Sequence, residues 1–304
     1  MTLRWRMAPV IALALLLGQS AGHYAWAEGP GGPAKKLPRS ACDHAAFRVV
    51  VDVGHTAESP GAISARGVYE YEFNLRLATL IKQKLVAAGF AKTVLLVTDG
   101  PARKSLFVRV GRANKLSADL FLSIHHDSVP DSFLETWEYE GAEHGFSDRF
   151  KGHSIFFSNE NVDPAASLMF GQLLGEQLKA RGLQYTPHYI EKFMGHRQRL
   201  LVDAKVGVYR YDQLIVLRTT QMPAVLLEAG SIINRAEELV MNSPERHSLI
   251  GAAVTDAVDG FCAIRRPRNP DRNPDRVASP PPAAAKQTLA PDATAQPANT
   301  AKAR

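Results

Sequence analysis

Phe-Arg-Val-Val-Val-Asp-Val-Gly-His occupies residues 47–55. Its β-branched apolar run, Phe47–Val53, reads as a strand that stops at Gly54. Phe73, Leu77, Leu80, Ile81 and Leu85 then recur at helical spacing and end at Gly89. Outward from there the alternation continues. Thr93–Thr98 reads as a strand, Lys104–Ser117 as a polar amphipathic segment and Leu120–Ile124 as a third strand. Ser154–Phe157 is a fourth, followed by a helix over Asp163–Arg181 with Phe170, Leu174 and Leu178 on one face. Leu214–Leu217 and Ala224–Leu227 read as two more strands. A last helix has Ser243 at its N-cap and Pro244 in first position, and runs to Ala263. Strands alternating with helices predict an α/β fold: a single domain with a twisted, mostly parallel sheet and helices on both faces.

The chain has 304 residues, 45% hydrophobic and 22% charged. That is ordinary for a soluble globular protein and excludes a polytopic membrane protein, a collagen-like chain and a wholly disordered one. The net charge of +6 divides unevenly, with +2 in residues 1–27, +5 in residues 265–304 and −1 in the body between them. A neutral body sets nucleic acid aside as a partner. Arg4 and Arg6 precede an apolar run from Met7 to Leu17, and Ala25-Trp26-Ala27 follows. A basic start, a short apolar segment and a small-x-small site describe a secretory signal peptide. The run is shorter than the roughly 20 apolar residues of a membrane span. Residues 1–27 are therefore expected to be a signal peptide and 28–42 a leader. The folded domain is expected over 43–263, with a disordered Pro/Ala-rich basic tail over 264–304. Export, to the periplasm, leaves a mature chain without a stable membrane span.

Two cysteines are too few for a disulfide scaffold or a Cys-rich zinc module. Cys42 and Cys262 flank the predicted domain in a compartment where disulfides persist. A bridge between them would close a loop of about 220 residues and contribute roughly 4–5 kcal/mol by the chain-entropy model. Two unpaired thiols are the other reading.

In open α/β sheets ligands bind outside the carboxyl ends of the strands. Gly54 and His55 follow the first strand, and His125, His126 and Asp127 follow the third. Glu228 ends the run Ala224–Leu227, while Glu70 and Glu72 open the first long helix. Imidazoles and carboxylates thus converge on one sheet edge. Zinc suits such a set, because a hydrolytic zinc takes three His or carboxylate ligands and keeps one position for water. A second Glu is left as the base. Glu228 is costly to bury unpaired at the end of an apolar strand, and partly buried carboxylates with raised pKa make good general bases.

VVVDVGHTAESPGA (49–62), ARGVYEYEFNLRLA (65–78), ADLFLSIHHDS (118–128) and VLRTTQMPAVLLEAGSIINRAEE (216–238) resemble the zinc-dependent N-acetylmuramoyl-L-alanine amidases of the amidase_3 group. The likeness spans about 48–262, essentially the whole predicted domain. It implies hydrolysis of the amide between the lactyl group of muramic acid and the first alanine of the peptidoglycan stem. Matched position by position, it implies His55, Glu70 and His125 as zinc ligands and Glu228 as the catalytic carboxylate. It also implies Arg218 as a residue that helps hold substrate.

The family's common Asp-Pro-Gly-His-Gly-Gly and following Asp-Pro-Gly-Ala are altered here. Val53, Thr56, Ala57 and Ser59 replace Pro, Gly, Gly and Asp, so the loop beside His55 is expected to differ in shape. Neighbours on an extended segment face opposite ways, so His125 and His126 cannot both bind one metal; the resemblance selects His125. Glu72 lies roughly 200° around the helix from Glu70. Asp131–Lys151 is acidic, aromatic and without clear period. It reads either as a bland surface loop or as a lid, since some relatives carry a segment that blocks the site until an activator protein displaces it. Two other functions stay open from sequence: a zinc peptidase cutting stem peptides and a non-catalytic peptidoglycan-binding protein.

Overall fold

The computed structural model describes residues 42–265. The expected signal peptide, nearly all of the leader and nearly all of the tail lie outside the described residues. The first strand, β1 (Val49–Val53), is completely buried. Its side chains alternate between two cores: Val49, Val51 and Val53 face one, and Val50 faces the other. The same alternation runs through β3 (Leu120–Asp127) and β9 (Ala224–Ser231). Leu122, Ile124, Val225 and Leu227 face the first core, and Phe121 and Leu226 the second. A strand buried on both faces has no polar side to show, which is why these segments read as continuous apolar runs.

Helices α1 (Glu70–Ala87), α3 (Pro164–Ala180) and α6 (Pro244–Ile264) cover the first face. Phe73, Leu77, Ile81 and Leu85 of α1 lie in its core with Phe170, Leu174 and Phe261. Truncating Leu77, which is fully buried, to Ala would cost roughly 2–5 kcal/mol by removing packing that cannot fully collapse. Helix α2 (Ala102–Lys115) and the one-turn α4 (Ile215–Arg218) cover the second face. Asp163 and Ser243 cap α3 and α6 by accepting from the backbone amides of Ala166 and Arg246, which satisfies first-turn donors.

The seven-stranded sheet has the order β2-β1-β3-β9-β6-β8-β7, with β2 Val94–Leu96, β6 Ser154–Phe157, β7 Leu200–Asp203 and β8 Val208–Arg210. Pairing is parallel from β2 to β9 and between β6 and β8. It is antiparallel at β9–β6 and β8–β7. The mostly parallel α/β sheet expected from the alternation is therefore present, with one reversal at β6 and a second at the edge strand β7.

Leu214–Leu217 is a correction: it is not a strand but enters α4. Both flanks of β9 are already taken by β3 and β6. The segment closes one helical turn, with Thr219 and Thr220 hydroxyls donating back to the Ile215 and Val216 carbonyls. Within 131–151, β4 (Glu135–Tyr139) and β5 (Ala142–Phe146) form a separate antiparallel hairpin. Glu140 and Gly141 turn it with φ of 51° and 79°, as two-residue hairpin turns require. Trp137 Nε1 donates to the Ala65 carbonyl at 2.7 Å, and the Arg66 and Arg235 guanidinium groups lie against its ring. Cys42 and Cys262 form a disulfide with a Cα separation of 5.1 Å across 220 residues of chain.

Candidate metal centre and active site

Three segments deliver the candidate ligands to the carboxyl edge of the parallel strands. Gly54 N donates to the Ile124 carbonyl at 2.9 Å, so the chain stays pinned to β3 one residue past β1. His55 then turns with φ 66°. The loop that follows is fixed at its far end, where Glu70 N and Tyr71 N donate to the carbonyls of Ala62 and Pro60. Glu70 thereby starts α1 with its side chain buried rather than in solvent. His55 Nε2 lies 2.9 Å from Glu70 Oε2, and His125 Nδ1 lies 3.0 Å from Glu70 Oε1. The two imidazoles meet edge to face at 5.0 Å between centroids.

The glycines beside the ligands leave no room for anything larger. A Cβ on Gly54 would fall 2.5 Å from His125 Nε2, and one on Gly61 would fall 2.5 Å from Glu70 Oε2. Asn74, one turn along α1, donates to Glu70 Oε1 at 3.1 Å and to the Gly54 carbonyl at 3.2 Å. Burial acts to raise the Glu70 pKa, but the hydrogen bonds and charges of His125 and His55 outweigh it, holding the carboxyl well below its usual range. Burial keeps His125 below the ordinary imidazole value, with Glu70 opposing. An ionised Glu70 carboxylate and a neutral His125 imidazole are the forms that metal ligands need.

The ligating atoms of His55, Glu70 and His125 all lie within 4.8 Å of one another. Around a tetrahedral zinc with bonds of about 2.0–2.1 Å, ligand atoms sit roughly 3.3 Å apart. The donor set and its spacing fit such an ion, and His55, the most exposed of the three at 31%, leaves one side of the group open to solvent.

Glu228 sits on β9 directly opposite His125 on β3. Register partners in parallel strands point to the same face. Glu228 Oε2 is sequestered without a hydrogen-bond partner. Burial first, then the negative charges of Asp127 and Glu70, push its pKa well above the usual carboxylate range, while Arg197 opposes them. Asp127 is pushed to about 7 by burial, against hydrogen bonds from Tyr189 Oη and Ser128 N and the charge of Arg197. The arrangement can hold a cation at one end and move a proton at the other.

The family model for N-acetylmuramoyl-L-alanine amidase, Amidase_3, matches residues 49–260. The chain belongs to this family. A putative N-acetylmuramoyl-L-alanine amidase of Buchnera aphidicola is 24% identical over 216 residues, covering 70% of this chain and 95% of the relative. The crystal structure of the amidase Ami1 from Mycobacterium smegmatis has the same fold, with TM-score 0.55, 19% identity, and coverage of 73% of this chain and 99% of that one. The CwlD amidase of Clostridioides difficile, solved in complex with the GerS lipoprotein, matches with TM-score 0.50 and 16% identity over 72% of this chain and all of that one.

The amidase does not bring every expected residue to this centre. Arg218 is a correction: it ends α4, six residues before β9 begins, and pairs with Glu160 at 3.5 Å. Glu160 follows the carboxyl end of β6, which runs antiparallel to β9. Arg218 therefore lies at the opposite end of the sheet from Glu228. His126 turns to the other face, where its Nδ1 lies 2.8 Å from Asn74 Oδ1 and burial pushes its pKa down to about 3. Glu72 is exposed and pairs with Arg76 one turn on.

The altered loop has its own fastenings. Thr56 Oγ1 donates to the Gly100 carbonyl, and Ser59 Oγ accepts from Ala102 N at the start of α2. Sequence reasoning missed Asn74, Tyr189 and Arg197, and placed Asp127 at the sheet edge without giving it a role. A carboxylate immediately after the two histidines was the one local signal. Beyond Asp127, His188 Nε2 lies 3.5 Å from Asp127 Oδ2 and lines a neighbouring cavity of about 460 Å³ that shares no residue with the candidate ligands or Glu228.

Proposed function

We propose that this amidase is an exported, zinc-dependent enzyme. It cleaves the amide between the lactyl group of N-acetylmuramic acid and L-alanine in peptidoglycan, during wall remodelling and daughter-cell separation. One observation carries the reading: Glu228, whose Oε2 is buried without a hydrogen-bond partner, faces the same side as its register partner His125, which groups with His55 and Glu70 as a possible metal site. Two imidazole nitrogens and a carboxylate oxygen favour zinc over harder cations. The ion would be held by His55, Glu70 and His125; when bound, it lowers the pKa of a water toward neutrality and polarises the scissile carbonyl.

Glu228 takes the proton of the attacking water and returns it to the leaving alanine nitrogen as the C–N bond breaks. Burial and the charges of Asp127 and Glu70 raise its pKa, which makes it a stronger base than an exposed carboxylate. Asn74 keeps Glu70 turned toward the two histidines by donating to its Oε1. Export is supported by the N-terminal pattern and by the Cys42–Cys262 disulfide, since disulfides persist in oxidising compartments.

The test is metal content together with dye release from labelled peptidoglycan, followed by product analysis. About one zinc per chain, chelator-sensitive release, free muramyl ends and intact stem peptides are expected. Cut stem peptides would make the enzyme a peptidase instead. Zinc without release would assign the missing factor to an activator protein as a partner. Folded protein that neither binds added zinc nor releases dye would overturn the reading.

A further inference from the structure

His55 occupies the left-handed backbone region with φ 66°, which residues other than Gly, Asn and Asp seldom adopt. Such a conformation persists only where its surroundings over-determine it. Directly beneath it lies Arg109 of α2, which heads the largest fully buried side chains of the described residues. Arg109 Nη2 donates to the His55 carbonyl. Its Nη1 lies 3.7 Å from Asp52 Oδ2, and the same oxygen accepts from Ser123 Oγ at 2.7 Å. Asp52 precedes His55 by three residues on β1, and Ser123 precedes His125 by two on β3. One guanidinium therefore ties the stems of two candidate ligands to the carbonyl of the first.

Resting on the reading of His55 as a metal ligand, we propose that Arg109 is a positioning residue: anchored by Asp52, it clamps the His55 carbonyl and holds the left-handed turn that aims the imidazole at Glu70 and His125. A buried ion pair is a poor way to gain stability, because desolvation offsets the attraction. Its use here is geometric. The rigid fork of a guanidinium donates to the carbonyl with one nitrogen while the other stays at ion-pair distance from Asp52, which the point charge of a lysine does not do.

Arg109→Lys and Arg109→Met, made in the full chain, test this against wild type. Zinc affinity by chelator competition, the visible absorption of the cobalt-loaded protein, kcat and KM, and far-UV circular dichroism are measured together. Both variants are expected to fold and to bind zinc about 10–100-fold more weakly, the usual effect of losing an outer-sphere partner. Their cobalt spectra change shape, and kcat falls while KM stays near the wild-type value. Full rescue by lysine would mean that only the charge beside Asp52 matters, and would overturn the proposal. So would wild-type affinity and spectrum in folded Arg109→Met. Failure of both variants to fold would make Arg109 a folding residue and end the positioning role. Wild-type protein that binds no metal is a separate failure, that of the His55 assignment itself.

Discussion

His125 and Glu228 are register partners on adjacent parallel strands, β3 and β9. The separation between candidate ligand and candidate base is thus set by a backbone ladder, at about 4.8 Å between strands, not by flexible side chains. Glu228→Gln keeps the shape and removes the proton transfer. Turnover is expected to fall about 10²–10⁴-fold with metal content unchanged. Near-normal release of muramyl ends by this variant would remove Glu228 from the mechanism.

Gly54→Ala separates metal binding from folding. The three atoms nearest the new Cβ all belong to the His125 ring, 2.5–2.6 Å away, so the substitution bears directly on that candidate ligand. Metal affinity should drop at least about tenfold, the scale of disturbed ligand orientation, with a thermal midpoint close to wild type. Unchanged zinc binding would show that His125 need not sit where the structure places it.

Arg218→Ala is expected to leave kcat/KM within about twofold of wild type. Arg218 and Glu160 are both substantially exposed, and such pairs contribute about 0–1 kcal/mol. A tenfold loss in kcat/KM would return this arginine to the substrate-binding set.

Much of the centre was legible because the chemistry sits where strands and helices begin or end. His55 and Glu228 lie at the close of apolar runs, and Glu70 opens a periodic helix. What escaped depends on long-range contact. Arg109 reaches back 54 residues to His55, and Tyr189 reaches 62 residues to Asp127; no local pattern encodes either. Leu214–Leu217 was ambiguous because four apolar residues suit a strand or a helical turn equally. The hairpin at 135–146 hid its period because its inner side packs aromatic rings against Arg66 and Arg235 instead of against aliphatic side chains. The reversal at β6 had a faint signal: no helical period separates the third strand from Ser154, so no crossover helix was available to keep the pairing parallel.

His153 gives the protein an acid limit. Burial, at 3% exposure, pushes its pKa from 6.5 down to about 4. A lowered folded-state pKa contributes stability that is present above pH 6.5 and lost as pH falls toward 4. The loss amounts to about 3 kcal/mol between pH 7 and pH 4. Urea unfolding of wild type and His153→Leu across that range should show the stability difference shifting toward the variant by this amount. Parallel pH profiles would contradict it.

Removing the disulfide with Cys42→Ser and Cys262→Ser should lower unfolding stability by up to roughly 4–5 kcal/mol, the entropy of the long loop it closes. Zinc affinity per folded molecule should not move. A variant of wild-type stability in urea would mean that the bridge adds nothing beyond existing contacts between α6 and the rest of the core.

With Cα atoms 5.1 Å apart, Cys42 and Cys262 make the catalytic unit a near-complete circle whose seam is chemically arbitrary. A circular permutant opened at the Glu140–Gly141 turn and joined across that seam would read Glu228 first, then His55 and Glu70, and His125 last. Every contact of the centre would be kept. The linear order of the four motifs is an address written on the ring, and the chemistry belongs to the ring.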